Sequence, residues 1–385
     1  MYILKLLWRN AFRHRLRTFL TVLGITVAIL AFGMLRTLVD IWYSGVEASS
    51  ATRLVTRNAV SLIFPLPISY KDRIRQFEGV KLVSWGNWFG GIFIEEKNFF
   101  ANFAVDMESY LKLYPEFILS PDQAAAVNRD RKACVVGRKL ADRFGWKIGD
   151  TIPLKGTIYP GTWEFVLRGI YHGRDKSTDE TQMFFHWDYL NEALKKTVPR
   201  RADQAGFYMI GTTTPSVSSD VAAAIDGTFR NSLAETMTES EKAFAMGFIS
   251  MTEAILIAIK LVSFVVIVII MAVVANTMAM TARERIGEYA VFKTLGFGAF
   301  HIAGLIFGES LVISMTGCAF GIALTFPAAR AFASYLSNYF PFFNVSSTTI
   351  VMDVAAALLV GIVAAIFPTW RAVNIRIADG LRRIG

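Results

Sequence analysis

The chain has 385 residues, of which 54% are hydrophobic and only 18% are charged. An ordinary soluble domain is less apolar than this, so the composition argues against a purely soluble protein. The formal net charge of +9 raises the question of nucleic-acid binding. The location of that charge along the chain decides the answer.

Four long apolar runs contain no Asp, Glu, Lys or Arg. They are residues 18–35, 261–282, 310–329 and 354–370. Runs of roughly 17 to 25 apolar residues match the ~30 Å hydrocarbon core of a bilayer, whereas they seldom fit inside a soluble core. We therefore predict four transmembrane helices. A cleaved signal peptide is the alternative for the first run, but no small-residue cleavage site closes it.

The basic residues flank these runs. Residues 44–250 are nearly neutral, with 25 Lys and Arg against 24 Asp and Glu. The excess positive charge lies before the first run, after the second and after the fourth: Lys5, Arg9, Arg13, Arg15, Arg17; Arg283, Arg285, Lys293; Arg371, Arg376, Arg382, Arg383. The positive-inside rule then places both termini and the second-to-third connection in the cytoplasm. The charge therefore indicates membrane topology, and we expect no nucleic-acid partner.

These observations predict a membrane α-helical protein with an α+β extracytoplasmic domain inserted between helices 1 and 2. The segments are a cytoplasmic amphipathic N-terminal helix (1–17), transmembrane helix 1 (18–40), the extracytoplasmic domain with a helical stalk (41–247), transmembrane helix 2 (248–282), a cytoplasmic connecting region (283–299), transmembrane helix 3 (300–337), a short outer loop (338–349), transmembrane helix 4 (350–370) and a cytoplasmic tail (371–385).

Alternating apolar residues and turn residues predict mixed α+β structure in the extracytoplasmic domain. We expect strands at 59–64, 80–85, 134–136, 151–154, 164–170 and 207–211, and helices after Ser69, at 139–144 and at 217–230. From Asn231 no Gly or Pro occurs until Gly247, which predicts one helix of roughly 45 residues, ~65 Å long, running into the second span. The alternative is a break near Gly247.

Several other residues are candidates for a disulfide, a metal site or an ion pair. Cys134 and Cys318 lie in different segments, so we expect no disulfide. The four histidines lack the spacing of a metal site. Glu309, within the third span, favours interfacial snorkelling or an interhelix bond over a proton relay. Arg36 and Asp40 have the i, i+4 spacing of a local ion pair.

One group of glycines and one group of aromatic residues each allow two interpretations. The third span carries glycines at small-xxx-small spacing, which can pack against a second subunit or within one subunit: Gly304, Gly308, Gly317, Gly321. The extracytoplasmic domain carries a group of aromatic residues, which we expect to form domain core rather than to contact a lipidic substrate: Trp85, Trp88, Phe89, Phe93, Phe99, Phe100, Phe103.

The most specific pattern crosses from the end of the second span into the next connection. It consists of Asn276-Thr277-Met278, Arg283-Glu284-Arg285, Glu288 and Lys293-Thr294-Leu295-Gly296. Further matching segments are Arg17-Thr18, the run 20–25, Pro368 to Ala372 and, in the extracytoplasmic domain, Val135-Val136-Gly137 and Gly149-Asp150. With these segments, the chain resembles the MacB/FtsX family of ABC transporter permeases.

The resemblance implies a type VII, mechanotransmission permease of the bacterial plasma (inner) membrane. Such a permease dimerises, binds a separate ABC ATPase and moves its outer domain. The residues that would couple to the ATPase are Arg283, Glu284, Arg285, Glu288, Tyr289, Phe292 and Lys293, with residues 283–296 forming the coupling helix along the membrane. The alternative is an interfacial helix whose charges only anchor the span.

The sequence contains no Gly followed by Lys and hence no Walker A loop. We therefore expect no enzymatic activity and no cofactor in this chain, with ATP bound by the partner ATPase. The first functional hypothesis is export, or extrusion of an amphipathic substrate or lipoprotein, with a periplasmic adaptor and membrane lipid as further partners. The second is an FtsX-like regulator that activates an extracytoplasmic hydrolase or sensor. A receptor without an ATPase would leave the coupling-helix pattern unexplained.

Overall fold

The computed structural model describes residues 2–47, 49–175, 178–335 and 345–375. The chain divides into two compact units, one of membrane-type helices and one spanning Tyr43–Met251. The helices are α1 (Tyr2–Ala11), α2 (Arg15–Glu47), α3 (Tyr70–Ile74), α4 (Met107–Leu113), α5 (Pro121–Arg129), α6 (Arg138–Phe144), α7 (Trp187–Thr197), α8 (Ser218–Phe229), α9 (Glu241–Met251), α10 (Glu253–Glu284), α11 (Ile286–Thr294), α12 (Ala299–Tyr335) and α13 (Ser347–Val373).

The strands lie in the Tyr43–Met251 unit, which we call the outer domain. They are β1 (Arg53–Asn58), β2 (Leu66–Pro67), β3 (Val80–Trp88), β4 (Gly91–Ile92), β5 (Asn102–Val105), β6 (Phe117–Ile118), β7 (Ala133–Gly137), β8 (Thr151–Gly156), β9 (Gly161–Gly173), β10 (Met183–His186), β11 (Gln204–Ala205), β12 (Phe207–Thr212) and β13 (Thr236–Ser240).

One mixed sheet organises the outer domain. Its strand order is β13-β1-β12-β3-β5-β10-β7-β9-β8-β4, with β6 paired to β9. The β10–β5 and β7–β9 pairs are parallel, and the other pairs of this sheet are antiparallel. Alternate strand residues enter two separate apolar clusters, so both faces of the sheet are covered. Helices α3, α6, α7 and α8 pack on one face, and α4 and α5 pack on the other.

Four helices are long and apolar enough to cross a membrane: α2, α10, α12 and α13. Glycine allows close approach between two of them, because a Cβ at Gly317 would lie 2.6 Å from Ile25 and one at Gly321 would lie 2.7 Å from Ile29. The predicted small-residue contact is therefore made within the subunit, between α12 and α2. Gly308 similarly faces Leu7 of α1.

Two predicted elements of the outer domain are wrong. Residues 59–64 are not a strand, since β1 ends at Asn58. The stretch after Asn231 is not one continuous helix, because Thr236–Ser240 pairs with β1 as strand β13. The helical path then breaks at Thr252, between α9 and α10, rather than at Gly247. The alternation of Thr236 and Thr238 suits an edge strand, because β-branched residues pack well on a pleated surface.

Other expectations are matched by the structure. Strands β3, β7, β8, β9 and β12 and helices α6 and α8 cover the predicted segments. Gly145 ends α6 in a left-handed conformation, at φ 69°. A helix follows Ser69, although the Ser69 side chain makes no capping hydrogen bond. Most of loop 338–349 and most of the basic tail, including Arg376, Arg382 and Arg383, lie outside the described residues.

Candidate functional site

The connection between α10 and α12 forms a short separate helix. Helix α10 ends at Glu284, Arg285 leaves the helical conformation at φ −100° and ψ 12°, and α11 begins at Ile286. The predicted coupling helix over 283–296 is therefore two elements, since Arg283 and Glu284 belong to the end of α10. Gly296 ends the segment at φ 87°, a conformation that glycine adopts without strain.

A buried arginine fixes this connection to the helix bundle. Arg285 is only 6% exposed. Its Nε donates to Glu288 Oε2 at 2.9 Å and its Nη1 donates to Glu309 Oε2, in α12, at 2.8 Å. Burial lowers the pKa of the Arg285 guanidinium, but Tyr289, Glu288 and Glu309 outweigh that effect and the pKa is raised. We call Arg285, Glu288 and Glu309 the Arg285 cluster.

The N-terminal segment reaches the same connection through two further ion pairs. Arg13 Nη1 lies 2.5 Å from Glu288 Oε1. Arg17 donates to both oxygens of Glu284, at 2.6 and 2.9 Å. Burial alone would raise the pKa of the Glu288 carboxyl, but hydrogen bonds from Arg13 and Arg285 lower it below its usual range. The predicted residues Glu284 and Glu288 are thus bound by arginines of this chain.

The remaining predicted residues point in different directions. The Tyr289 ring is buried, and burial raises the pKa of its hydroxyl to about 12. Lys293 Nζ donates to the carbonyl oxygens of Val373 and Ile375, at 2.6 and 2.8 Å, so it caps the end of α13. The Phe292 ring is half-buried and contacts Phe297 edge-on, and Arg283 is exposed.

The outward side of this connection is apolar, which the sequence analysis missed. Four exposed side chains follow one another along α11 and the turn into α12: Val291, Leu295, Phe297 and Phe300. Leu295 is 69% exposed and Phe300 is 92% exposed. Leu295 and Phe297, on either side of Gly296, were the sequence signal for this surface. Large apolar residues that are exposed together at a turn mark interaction sites. We call these four residues the α11 apolar patch.

The membrane helices also carry acidic side chains, at Asp40 and at Asp353. Arg36 pairs with Asp40 at 3.1 Å, as the i, i+4 spacing predicted, and Asp40 also accepts hydrogen bonds from Ser346 and Thr349. Asp353, one turn further along α13, is 1% exposed, and neither carboxyl oxygen has a hydrogen-bond partner within the described residues. The predicted interhelix bond of Glu309 is made with Arg285.

A second buried arginine lies in the outer domain. Arg53 in β1 donates to Glu241 Oε2 at 2.8 Å, to Glu116 Oε1 at 2.7 Å and to the Leu113 carbonyl oxygen at 3.3 Å, and it stacks on the Tyr114 ring. Burial lowers the pKa of Arg53, but the two glutamates outweigh that effect and raise it.

Glu241 is bound by neutral donors as well. It accepts hydrogen bonds from the Ser50 backbone N–H at 2.9 Å and the Tyr114 hydroxyl at 3.0 Å. Since Ser50 follows α2 in the chain and Glu241 begins α9, this group joins the segments through which the chain enters and leaves the outer domain. We call Arg53, Tyr114, Glu116 and Glu241 the Arg53 cluster.

The predicted aromatic group is mostly domain core. Phe89, Phe100 and Trp85 are buried, and only Trp88 and Phe99 are substantially exposed. Cys134 and Cys318 are free and buried.

Two family models match the chain. Residues 18–228 match the MacB-like periplasmic core domain, and residues 260–377 match the FtsX-like permease C-terminal domain. The chain belongs to the MacB/FtsX family of ABC transporter permeases. As a family member it is a multi-pass membrane protein, with four membrane helices and an extracytoplasmic α+β domain between the first and the second.

A curated relative extends this similarity over the whole chain. An uncharacterised ABC transporter permease of Methanocaldococcus jannaschii is 22% identical over 403 aligned positions, which cover 99% of this chain and 97% of the relative.

Two solved structures are similar to about half of this MacB/FtsX permease. The alignment with the extracellular domain of the ABC-type transporter YknZ from Gram-positive bacteria covers 49% of this chain and all of that structure, at 9% identity and a TM-score of 0.35. The periplasmic region of MacB from Actinobacillus actinomycetemcomitans covers 53% of this chain and 95% of that structure, at 7% identity and a TM-score of 0.37.

Proposed function

We propose that this permease couples the cycle of a separate ABC ATPase to motion of its extracytoplasmic domain. The motion serves export, or extrusion from the outer leaflet or periplasm, of an amphipathic substrate or a lipoprotein. In this proposal the chain works as a dimer with a second copy or a paralogue in the bacterial plasma membrane. Both termini and α11 are cytoplasmic, in agreement with the basic residues at those positions.

The observation that carries the proposal is the contrast between the two sides of α11. Its inner side is fixed to the bundle by the Arg285 cluster and by buried Ile286 and Ala290. Its outer side exposes Val291, and the other three residues of the α11 apolar patch follow in the turn after α11 and in the first turn of α12. A segment that is fixed on one side and exposes apolar side chains on the other suits a partner that pushes on it, because a force applied there is transmitted to α10, α12 and α13.

The geometry also refines the predicted coupling residues. Arg285, Tyr289 and Lys293 act inside the permease, where they position α11. The α11 apolar patch is the contact surface for the ATPase. ATP binds to the partner, and this chain contributes no catalytic group.

A second candidate function is the FtsX-like one, in which the same motion activates an extracytoplasmic hydrolase or sensor. Exposed apolar side chains at one end of strand β1 favour a protein partner on the outer domain: Val60, Ile63 and Phe64. A periplasmic adaptor for export and a hydrolase both fit such a surface, so the identity of the co-purified protein separates the two candidates.

The test is affinity purification of the tagged full-length chain in mild detergent, with identification of bound proteins and assay of ATP hydrolysis. We expect an ABC ATPase to co-purify with the wild type. Val291→Asp and Leu295→Asp should release it, because a carboxylate in an apolar contact must be desolvated.

The matched control is Leu233→Asp, at a fully exposed leucine of the outer domain, which should retain the ATPase. If no ATPase is recovered with folded wild-type protein, or if the patch variants retain it as well as the wild type does, the coupling proposal fails.

A further inference from the structure

Two exposed arginines converge on one cleft between α10 and α13. The cleft is shallow and open to solvent. Arg283, in the last turn of α10, and Arg371, in the last turn of α13, both line it. Its walls are apolar and include Ala279, Ile286 and Phe367. Two arginines from different helices thus line one apolar cleft.

Neither guanidinium is used by the protein itself. Four other basic groups at this end of the bundle have partners within the chain: Arg13, Arg17 and Arg285 bind glutamates and Lys293 binds carbonyl oxygens. Within the described ranges, neither Arg283 nor Arg371 has an ion pair or a hydrogen bond. The neighbouring Glu284 carboxylate is bound by Arg17 and lies near His14. The cleft therefore carries two positive charges that nothing in the described chain neutralises.

The residues beside the cleft place it at headgroup depth. Trp370 precedes Arg371 and is 64% exposed, and Phe367 is 53% exposed. Exposed aromatic residues at the end of a membrane helix mark the membrane–water interface, where their rings sit among the headgroups. Below this level the surfaces of α10 and α13 are apolar, as an acyl chain requires.

We propose that this cleft binds an anionic phospholipid. Its phosphate lies between Arg283 and Arg371, and one acyl chain runs along Ala279 and Phe367. The guanidinium fork matches phosphate oxygens and forms paired hydrogen bonds with them, and basic pockets between membrane helices bind acidic headgroups. A bound lipid would hold the end of α10 against the end of α13, beside the point where α11 begins. This inference rests on the membrane location of the chain and not on the proposed ATPase coupling.

The test is native mass spectrometry of the full-length protein in detergent, titrated with phosphatidylglycerol or phosphatidylcholine. We expect phosphatidylglycerol to bind more tightly than phosphatidylcholine. Arg283→Gln and Arg371→Gln should each weaken phosphatidylglycerol binding about fivefold, because a basic residue near the membrane surface contributes about this factor to anionic lipid binding. The double variant should bind the two lipids equally.

The matched control is Arg15→Gln, at an exposed arginine at the start of α2 that does not line the cleft. This variant should bind phosphatidylglycerol as the wild type does. Equal losses in Arg15→Gln and in the cleft variants would show that only overall charge matters, and would overturn the proposal. Displacement of the lipid by millimolar inorganic phosphate would also overturn it, since the site would then recognise free phosphate. Exposed Arg→Gln changes leave the packed helices intact, so a loss of binding would not reflect unfolding.

Discussion

The Arg53 cluster of the outer domain and the Arg285 cluster of the membrane helices use the same residue types in different ways. Each holds a buried arginine between two glutamates. In the Arg53 cluster, neutral donors and acceptors complete the hydrogen bonding, including the Tyr114 hydroxyl and the Leu113 carbonyl group. In the Arg285 cluster, Glu309 has no hydrogen bond in the described structure besides the one to Arg285, and Glu288 is shared with Arg13.

The difference shows what each cluster can do. A charge group that is saturated with neutral hydrogen bonds has one favourable arrangement, so the Arg53 cluster locks the two chain segments that meet at Glu241. A glutamate shared by two arginines can lose one partner and keep the other. The Arg285 cluster therefore holds α11 to α12 through Glu309 and to the N-terminal segment through Glu288.

The largest loss of folding stability is expected from Arg53→Met. This change leaves Glu116 and Glu241 without their guanidinium, and breaking a buried ion pair costs about 3 to 5 kcal/mol. We expect the upper end of that range, measured as a lower midpoint of thermal unfolding of the full chain in detergent. The matched control is Arg57→Met, also in β1, whose pair with Glu239 is more exposed and should cost less than about 1 kcal/mol. Equal losses for the two variants would contradict the saturated-cluster account.

A double-mutant cycle on Arg285 and Glu309 should give the next largest effect. We expect Arg285→Met alone to cost about 3 kcal/mol, because Glu309 then stays buried without a partner. The double variant Arg285→Met/Glu309→Leu should be more stable than Arg285→Met, since an apolar pair replaces the ion pair and Glu288 retains Arg13. The corresponding double variant Arg53→Met/Glu116→Leu should show no such recovery, because Glu241 still lacks its guanidinium. Recovery in both clusters would remove the distinction.

Asp353 offers a third environment, a buried carboxyl with no partner in the described structure. Asp353→Asn removes the charge and keeps the size, so we expect stabilisation, because an uncharged amide costs less to bury without a partner than a carboxylate does. The midpoint of thermal unfolding is the measurement, with Glu309→Gln as the control that should lower it. A lower midpoint for Asp353→Asn would mean that the carboxylate has a stabilising partner.

The smallest effect concerns the pH dependence of the Glu288 pairs. Because the pKa of Glu288 is lowered by Arg13 and Arg285, its contribution to stability is present above the unfolded pKa of about 4.3 and is lost as the pH falls through the lowered value. Glu288→Gln should therefore be less stable than the wild type at neutral pH, by less than about 1 kcal/mol because solvent screens the pair.

This difference should disappear in acid. Arg13→Gln, which removes one of the two partners, should reduce it at neutral pH. A difference between wild type and Glu288→Gln that grows as the pH falls would show that Glu288 is not stabilised as a carboxylate.

Sequence patterns predicted those parts of the fold that depend on local periodicity. The four apolar runs became α2, α10, α12 and α13, and the glycine after Phe144 ended α6 as expected. Strand β1 was missed because Arg53 and Arg57 interrupt its apolar pattern, and Arg53 is buried only through ion pairs with residues far along the chain. The exposed run from Val60 to Phe64 took its place in the prediction because hydrophobicity alone does not distinguish an exposed loop from a strand.

For the candidate site, the sequence predicted a segment but not the direction of each side chain. The sequence indicated that 283–296 is special, while the direction of each side chain depended on partners outside the segment. Arg285 points inward because Glu309 lies in the next helix, and Lys293 is occupied because α13 ends beside it. Nothing within the segment encodes either fact, so the charged residues appeared to be surface contacts and the α11 apolar patch was overlooked.

The buried state of Cys134 and Cys318 has a practical consequence for labelling. Both thiols of the chain are enclosed, so the folded wild-type protein should be inert to a bulky maleimide. A single cysteine introduced at Leu295 or at Leu233, both exposed, would then be the one reactive position, with no need for a cysteine-free background. Applied to intact cells, a membrane-impermeant reagent would label one of these two positions and spare the other, and so would report the orientation of the chain in the bilayer.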